Sequence, residues 1–174
     1  MINGINSREM ILEILLEIEE GEHSHVAIRN ALSKYQFLPK QDRAFITRVC
    51  EGTLEYRIQI DYIINSFSKV TVDKMKPAIR EILRSAVYQL KYMDSVPDSA
   101  VCNEAVKLAQ RKGFYNLKPF VNGVLRTIAR EMDQVRFPQK EDDLLKYLSV
   151  KYSMPEVLVT RWLEAYGEET TEKI

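Results

Sequence analysis

The sequence predicts an all-helical protein, and three observations support this fold class. Apolar residues recur every three or four positions along nearly the whole chain of 174 residues. The Val-Thr-Val run at residues 70–72 is too short to make a sheet. Proline and glycine stand at the borders of the periodic stretches, where helices begin and end. With 45% hydrophobic and 29% charged residues, the composition is that of a globular protein and not of a disordered one.

The first half of the chain contains four predicted helices. Ser7 is predicted to cap the first helix, which stops at Gly21, and Ser24 is predicted to cap the second. Pro39 opens a third helical stretch. A fourth, shorter helix is predicted over residues 57–67, where isoleucines recur at helical spacing.

The second half begins after a break at residues 68–76. Pro77 is well placed at the first position of a helix. The next helix is predicted to start near Asp98 and to end at Gly113, because glycine readily adopts the left-handed conformation of a helix C-cap. Pro119 begins another helix.

Two glycines lie inside predicted helices. Gly52 and Gly123 each destabilise a helix by about 1 kcal/mol relative to alanine. Close approach of another backbone is the usual compensation, and we expect it at both positions. The segments around them, residues 51–54 and 122–125, resemble each other and suggest two similar helical halves.

The composition changes after Glu131. Phenylalanine, proline and an acidic run form a connection, and a short and a longer helix are predicted to follow. The longer helix is predicted to face inward with Leu158, Trp162 and Tyr166. Residues 168–173 are polar and are interpreted as the start of a linker.

Zero net charge hides an uneven distribution. Residues 1–24 carry one cation and six anions, residues 25–130 carry 18 cations and nine anions, and residues 131–174 carry six cations and ten anions. A basic middle between acidic ends is typical of proteins with a polyanionic partner. A solvated surface that happens to cluster its charges is the alternative.

Several kinds of chemistry find no support in the sequence. There is no glycine-rich phosphate loop after a strand, and His23 and His25 are interpreted as solvated loop residues without a metal. Cys50 and Cys102 are interpreted as free buried thiols of a cytoplasmic protein, with a disulfide as the alternative. No apolar run approaches the ~20 residues of a membrane span, and the N-terminus does not resemble a secretory signal. The residues alone favour a binding module over a catalyst.

Basic residues recur at spacings that place them on helix faces, and such cations suit phosphate groups. Arg80, Arg84 and Lys91 are predicted on one side of one helix, and Arg126 and Arg130 on one side of another. The candidate phosphate contacts are Arg80, Arg84, Lys91, Arg111, Lys112, Lys118, Arg126 and Arg130. Four aromatic residues among them are candidates for stacking on unpaired bases, with core packing as the alternative: Tyr88, Tyr92, Phe114 and Tyr115.

Blocks of sequence in a conserved order resemble the NusB superfamily. They are residues 42–45, 51–54, 82–90, 97–109 and 120–126. The resemblance implies two packed three-helix bundles in a NusB-like RNA-binding domain over residues 1–131. Residues 132–174 are then a helical extension towards a methyltransferase domain that this chain lacks. Asn103, Glu104 and Asn122 match family motifs, and hydrogen bonds between helices explain them as well as RNA does.

The NusB-like module is shared by two families, and the resemblance to each implies a different function. Residues 153–167 are similar to the segment that follows this module in RsmB-type ribosomal RNA cytosine-5 methyltransferases. That family implies ribosomal RNA and the chain's own catalytic domain as partners. S-adenosylmethionine is expected in the absent domain, with no cofactor in this chain. The alternative is a free-standing NusB-like antitermination factor that binds RNA and a ribosomal protein. A third hypothesis is a basic face that docks onto the catalytic domain.

Overall fold

The described part of the chain, residues 6–174 of a computed structural model, consists of nine α-helices joined by loops and short 3₁₀ turns, without strands. This confirms the all-helical prediction. The helices are α1 (Ser7–Glu19), α2 (Ser24–Lys34), α3 (Lys40–Glu55), α4 (Arg57–Phe67), α5 (Pro77–Tyr92), α6 (Asp98–Arg111), α7 (Lys118–Glu131), α8 (Leu144–Tyr152) and α9 (Glu156–Lys173). Among these residues, no helix combines the length and the apolar content that crossing a membrane requires.

Two predicted caps are displaced by one residue. The side chain of Asn6, not that of Ser7, accepts a hydrogen bond from the Glu9 N–H at 2.8 Å. Asparagine caps a helix as well as serine does, so the earlier residue takes the role and Ser7 becomes the first helical residue. Ser24 is likewise the first residue of α2, and His23 before it makes no capping bond with its side chain.

The helices α1 to α3 form one bundle and α5 to α7 form a second. Helix α5 is the centre of the molecule, because α1, α3, α4, α6 and α7 all pack against it. Every residue from Glu81 to Gln89 is buried as a result. Helix α4 is an additional helix that lies against α5 and α7. The two predicted bundles are therefore present, with α4 beside them.

The two mid-helix glycines differ. A Cβ on Gly52 would overlap the ring of Tyr88, which is buried in the core. The close neighbour is thus a side chain and not the expected backbone. Gly123 is exposed, and a Cβ there would have nothing within 4 Å. The expectation of close packing at Gly123 is wrong, because this side of α7 faces solvent.

The residues after α7 pack against α4. Ser153 follows α8 in a left-handed conformation with φ 53°. Its Oγ accepts hydrogen bonds from the backbone N–H groups of Ile58 at 3.0 Å and Gln59 at 3.3 Å. Those groups lie in the first turn of α4, where no carbonyl of the helix itself is available. The Tyr62 hydroxyl adds a 2.6 Å hydrogen bond to the Arg136 carbonyl.

The last turn of α9 is also packed, although residues 168–173 were expected to begin a linker. Gly167 breaks the helix with φ 78° and ψ 172°, and the chain continues as a helical turn. Beyond the kink Thr171 is buried, whereas Tyr166 is 58% exposed. The prediction that Tyr166 faces inward is wrong because the kink brings Thr171 to the neighbourhood of α8 instead.

Replacing Ser153 with alanine is expected to lower the free energy of unfolding by about 1 kcal/mol, because two N–H groups at the start of α4 lose their acceptor. The melting temperature should fall by roughly 2–4 °C. Urea denaturation followed by circular dichroism measures the change. Ser66→Ala is the control, since the Ser66 hydroxyl bonds only to its own helix and is exposed. Equal losses in both variants would contradict a capping role.

Candidate nucleic-acid interface

One surface of the second bundle carries polar and basic side chains from two antiparallel helices. On α7 the residues Lys118, Asn122, Arg126 and Arg130 recur every four positions and so share one side. On α6 the exposed residues Asn103, Lys107 and Gln110 follow at positions i, i+4 and i+7. We call this surface the α6/α7 face. Its members are Asn103, Lys107, Gln110, Lys118, Asn122, Gly123, Arg126 and Arg130.

Amide oxygens hold two of the cations on this face. Arg126 donates from Nη2 to Asn103 Oδ1 at 2.7 Å and from Nε to Asn122 Oδ1 at 3.2 Å. Lys118 Nζ donates to Gln110 Oε1 at 2.9 Å. Amides carry no charge, so these bonds orient the cations without neutralising them. Two of the five guanidinium N–H donors of Arg126 are used, which leaves donors for an anion.

Carboxylates are scarce around Lys118 and Arg126. Among the described residues neither cation forms a salt bridge, while Lys107 meets Glu104 at 3.5 Å and Arg130 meets Glu131 at 3.8 Å. Both of those pairs are long and exposed, and such pairs interact weakly. The α6/α7 face therefore has an excess of positive charge.

An exposed aromatic ring lies at the end of this face. Tyr115, in the turn between α6 and α7, is 64% exposed, and Lys118 Nζ lies 4.6 Å from its ring centroid. The other three stacking candidates are engaged inside the protein. Tyr88 is buried, Tyr92 stacks on Tyr56, and Phe114 packs against the core. Tyr115 is thus the candidate that a base could reach.

Arg111 and Lys112 lie beside the acidic helix α1. Arg111 Nη1 is 3.7 Å from Glu9 Oε2, and Lys112 Nζ is 3.4 Å from Glu13 Oε1. The acidic N-terminal region thus partly neutralises the basic middle of the chain through contacts between helices.

The three cations of α5 contact three different elements and do not join the α6/α7 face. Arg80 forms an ion pair with Glu19 of α1 and donates to the Met75 carbonyl at 3.1 Å. Lys91 lies near the Phe137 ring, with Nζ 5.7 Å from the centroid. Arg84 points to α4. The spacing predicted one shared side for these three residues, but each of them contacts a different neighbour.

Arg84 is the most enclosed of the predicted contacts, with 9% of its surface exposed. It binds Asp61 through Nε at 2.8 Å and Nη2 at 2.9 Å, and Glu81 through Nη1 at 2.7 Å. Burial raises the pKa of both carboxyls, while Arg84 acts to lower it. Burial also acts to lower the pKa of Arg84, but the two carboxylates outweigh it and the pKa is raised. Three of its five N–H donors are used, and its burial together with the two carboxylates makes Arg84 a poor phosphate contact.

Cys50 and Cys102 are free and buried, as predicted. Burial raises the pKa of both thiols, so neither is a ready nucleophile. Within the described range, no three His, Cys, Asp or Glu side chains come close enough to hold a metal ion.

Lys107 and Gln110 are members of the face that sequence reasoning missed. Their spacing from Asn103 on α6 was a usable signal, because residues i, i+4 and i+7 share a helix side. Gln110 carries no charge, however, and its importance comes from its contact with Lys118 on the next helix.

Comparison with known proteins places the fold in a family. The model of the NusB family matches residues 5–130. The chain belongs to the NusB family. The transcription antitermination protein NusB of Dictyoglomus thermophilum is 33% identical over 74% of this chain and 85% of that protein.

A second group of relatives matches nearly the whole chain. The probable ribosomal RNA small subunit methyltransferase B of Bacillus subtilis is 35% identical over 96% of this NusB-family chain. The chain spans 37% of the length of that relative. The predicted similarity to RsmB-type methyltransferases is thereby confirmed.

Solved structures have the same fold. The crystal structure of PH0851 superposes over 97% of this chain with a TM-score of 0.74, at 22% identity and over 38% of its own length. NusB in a complex described as antitermination factors NusB and NusE with dsRNA superposes over 71% of this chain and 93% of its own, with a TM-score of 0.65 and 21% identity. At these identities the likeness establishes the fold alone.

Proposed function

We propose that this chain is the RNA-binding N-terminal module of a ribosomal RNA small-subunit cytosine-5 methyltransferase. In this function it holds ribosomal RNA in the cytoplasm while a catalytic domain, which binds S-adenosylmethionine, methylates a cytosine. The similarity to the B. subtilis methyltransferase over 96% of the chain supports this function. The helices α8 and α9 support it as well, since the NusB relative matches only 74% of the chain.

The observation that carries RNA binding is the unneutralised charge of the α6/α7 face. Lys118 and Arg126 are held by amides, and Arg130 is 67% exposed. Phosphate contacts from such residues fix the position of a nucleic acid, and guanidinium groups bind phosphate in a bidentate manner. The exposed ring of Tyr115 adds a surface on which an unpaired base can stack.

The proposed phosphate contacts are therefore Lys118, Arg126 and Arg130. Arg111 and Lys112 are proposed as weaker contacts, since Glu9 and Glu13 of α1 partly neutralise them. The catalytic domain of the parent protein is the second proposed partner. The remaining sequence-predicted cations, Arg80, Arg84 and Lys91, lie apart from this surface, and we assign them no part in the RNA contact of the α6/α7 face.

A second candidate function is transcription antitermination with RNA and a ribosomal protein. It is supported by the 33% identity to D. thermophilum NusB and by the fold of NusB in a complex with NusE and dsRNA. The reading frame beyond codon 174 separates the two candidates. A methyltransferase domain there supports the first function, and a stop codon supports the second.

Binding of the chain to a labelled small-subunit ribosomal RNA fragment is expected to weaken steeply with salt. The logarithm of the binding constant falls by roughly 0.7–0.9 per neutralised phosphate for each unit of log salt concentration. Arg126→Gln should weaken binding roughly tenfold and reduce this slope by about one. Fluorescence anisotropy at several salt concentrations measures both quantities.

Arg29→Gln is the matched control for this experiment. Arg29 is exposed on α2, which has no contact with α6 or α7 among the main helix pairs. Its replacement should leave the affinity and the slope unchanged. Salt-insensitive binding, or equal effects of the two substitutions, would rule out phosphate contact by the α6/α7 face.

A further inference from the structure

A cavity of about 250 Å³ lies where the C-terminal extension meets the NusB-like part of the molecule. It opens between the start of α4, the end of α5, the connection before α8 and α8 itself. Its walls include Gln59, Lys91, Phe137, Tyr147, Val150 and Lys151. We call it the α4/α8 cavity. It is separate from the α6/α7 face, because none of its lining residues belongs to α6 or α7.

We propose that the α4/α8 cavity binds a single nucleotide, with the base against the aromatic walls and the phosphate at the two lysines. The lining residues combine two aromatic rings with two ammonium groups and include no carboxylate. Aromatic rings stack on bases, and ammonium groups bind phosphate as point charges. A nucleotide is the common biological molecule that offers an aromatic ring system and a phosphate together.

The walls of the cavity are held by contacts between the extension and α4. Gln59 Nε2 donates to the Lys151 carbonyl at 3.3 Å, and the Ser153 hydroxyl accepts from the Gln59 N–H at 3.3 Å. The Phe137 ring stacks on Tyr62 with a centroid distance of 5.7 Å and an interplanar angle of 23°. A ligand therefore meets walls that are already in place, which reduces the ordering entropy of binding.

The two lysines give the cavity its positive charge. Among the described residues Lys91 forms no salt bridge, and its Nζ lies 5.4 Å and 5.7 Å from the ring centroids of Tyr92 and Phe137. Lys151 Nζ donates to the Tyr147 hydroxyl at 2.9 Å and lies 3.4 Å from Glu172 Oε1.

Glu172 offsets part of the charge of Lys151, since its other neighbour, Lys140, lies 3.6 Å away and is itself paired with Glu168 at 2.7 Å. The positive charge of the cavity therefore comes mainly from Lys91, which forms no salt bridge among the described residues. The hydrogen bonds that Lys151 donates to the hydroxyls of Tyr147 and Tyr152 raise its pKa, so its ammonium group is charged at neutral pH. An anionic ligand would supply the negative charge that pairs with Lys91.

The size of the cavity limits the ligand to one nucleotide. Sites for drug-sized molecules usually measure about 300–1,000 Å³, and 250 Å³ is just below that range. Two ligands offer this combination of a base and a phosphate. One is a free nucleoside 5′-monophosphate, and the other is an unpaired nucleotide that an RNA strand inserts into the cavity. The volume leaves no room for neighbouring nucleotides of the strand, which would stay outside.

Titration of the whole chain with cytidine 5′-monophosphate, followed by ¹H–¹⁵N NMR, tests the proposal. Shifts are expected in the amides of residues 59, 91, 137, 147 and 151. Cytidine alone and inorganic phosphate alone should bind more weakly than the nucleotide. Lys91→Gln should weaken nucleotide and phosphate binding about tenfold. Phe137→Leu should weaken nucleotide and cytidine binding and leave phosphate binding unchanged.

Lys146→Gln is the matched control, because Lys146 is exposed on α8 and does not line the cavity. Shifts that avoid the lining residues, or equal effects of Lys91→Gln and Lys146→Gln, would overturn the proposal. If a single-stranded RNA displaces the mononucleotide, the ligand of the cavity is a nucleotide of an RNA strand. If it does not, the ligand is the free nucleotide.

The outcome is independent of the α6/α7 face. Arg126→Gln should weaken RNA binding and leave mononucleotide affinity unchanged. If the cavity fails to bind nucleotide while Arg126→Gln still weakens RNA binding, the cavity proposal fails and the proposed RNA-binding function stands.

Discussion

Replacing Arg84 with methionine is expected to lower the free energy of unfolding by about 3–5 kcal/mol, because the buried Glu81 and the partly buried Asp61 would stay behind as unpaired charges. Arg84 meets both carboxylates at 2.7–2.9 Å, and Glu81 is only 4% exposed. Urea denaturation at pH 7 measures the loss. Arg130→Met is the control, since the Arg130 side chain is 67% exposed and its loss should change stability by less than about 0.5 kcal/mol.

The loss in Arg84→Met is expected to shrink as the pH falls. Burial raises the pKa of Asp61 and Glu81 in the folded protein. A carboxyl whose pKa is raised by folding stabilises the folded protein fully at pH values below its pKa in the unfolded chain, about 4. This stabilisation disappears as the pH rises through the pKa of the folded state. Removing Arg84 removes the cation that opposes the rise in the two carboxyl pKa values. The loss of folding free energy is therefore largest near neutral pH, where both carboxyls would otherwise be ionised.

A second substitution separates the charge effect from lost packing. Adding Asp61→Asn to Arg84→Met should recover part of the stability at pH 7, because one unpaired charge disappears. A pH-independent loss in Arg84→Met, with no recovery in the double variant, would contradict the ion-network explanation.

Replacing Gly52 with alanine is expected to lower the free energy of unfolding by roughly 2–3 kcal/mol, although alanine favours helices. The new methyl group would overlap the Tyr88 ring. That ring cannot move aside easily, because it is 6% exposed and lies 5.4 Å from the Tyr92 ring, centroid to centroid. Thermal and urea denaturation measure the effect.

Gly123→Ala is the matched control, since Gly123 is also in the middle of a helix and has open space around it. It should raise stability by about 1 kcal/mol, the difference in helix propensity. The same sign of change in both variants would contradict the role assigned to the Tyr88 contact.

Helix positions were well predicted because they depend on local patterns. The bounds of α4 agree with the predicted residues 57–67, and Pro77 is the first residue of α5. The capping residue Asn6 was missed because two good capping residues are adjacent, and periodicity does not choose between them. The kink at Gly167 was missed because the polar residues after it were interpreted as the start of a linker.

The candidate site was less predictable, because the partner of a charged side chain comes from a distant part of the chain. Arg84 pairs with Asp61, 23 residues away, and Lys112 pairs with Glu13, 99 residues away. Spacing along a helix indicates the side on which a residue lies, and it does not indicate the neighbouring helix. The exposure of Tyr115 and the burial of Tyr88 likewise depend on which helices lie next to them.

The hydroxyl that caps α4 has a consequence for synthesis on the ribosome. Ser153 lies 95 residues after Ile58, and its hydroxyl accepts a hydrogen bond from the Ile58 N–H. Translation adds about 5–20 residues per second, so the first turn of α4 waits roughly 5–20 s for its acceptor while the four helices α5 to α8 are synthesised. During that interval the nascent protein holds an incomplete α4, and a chaperone would meet it in that form.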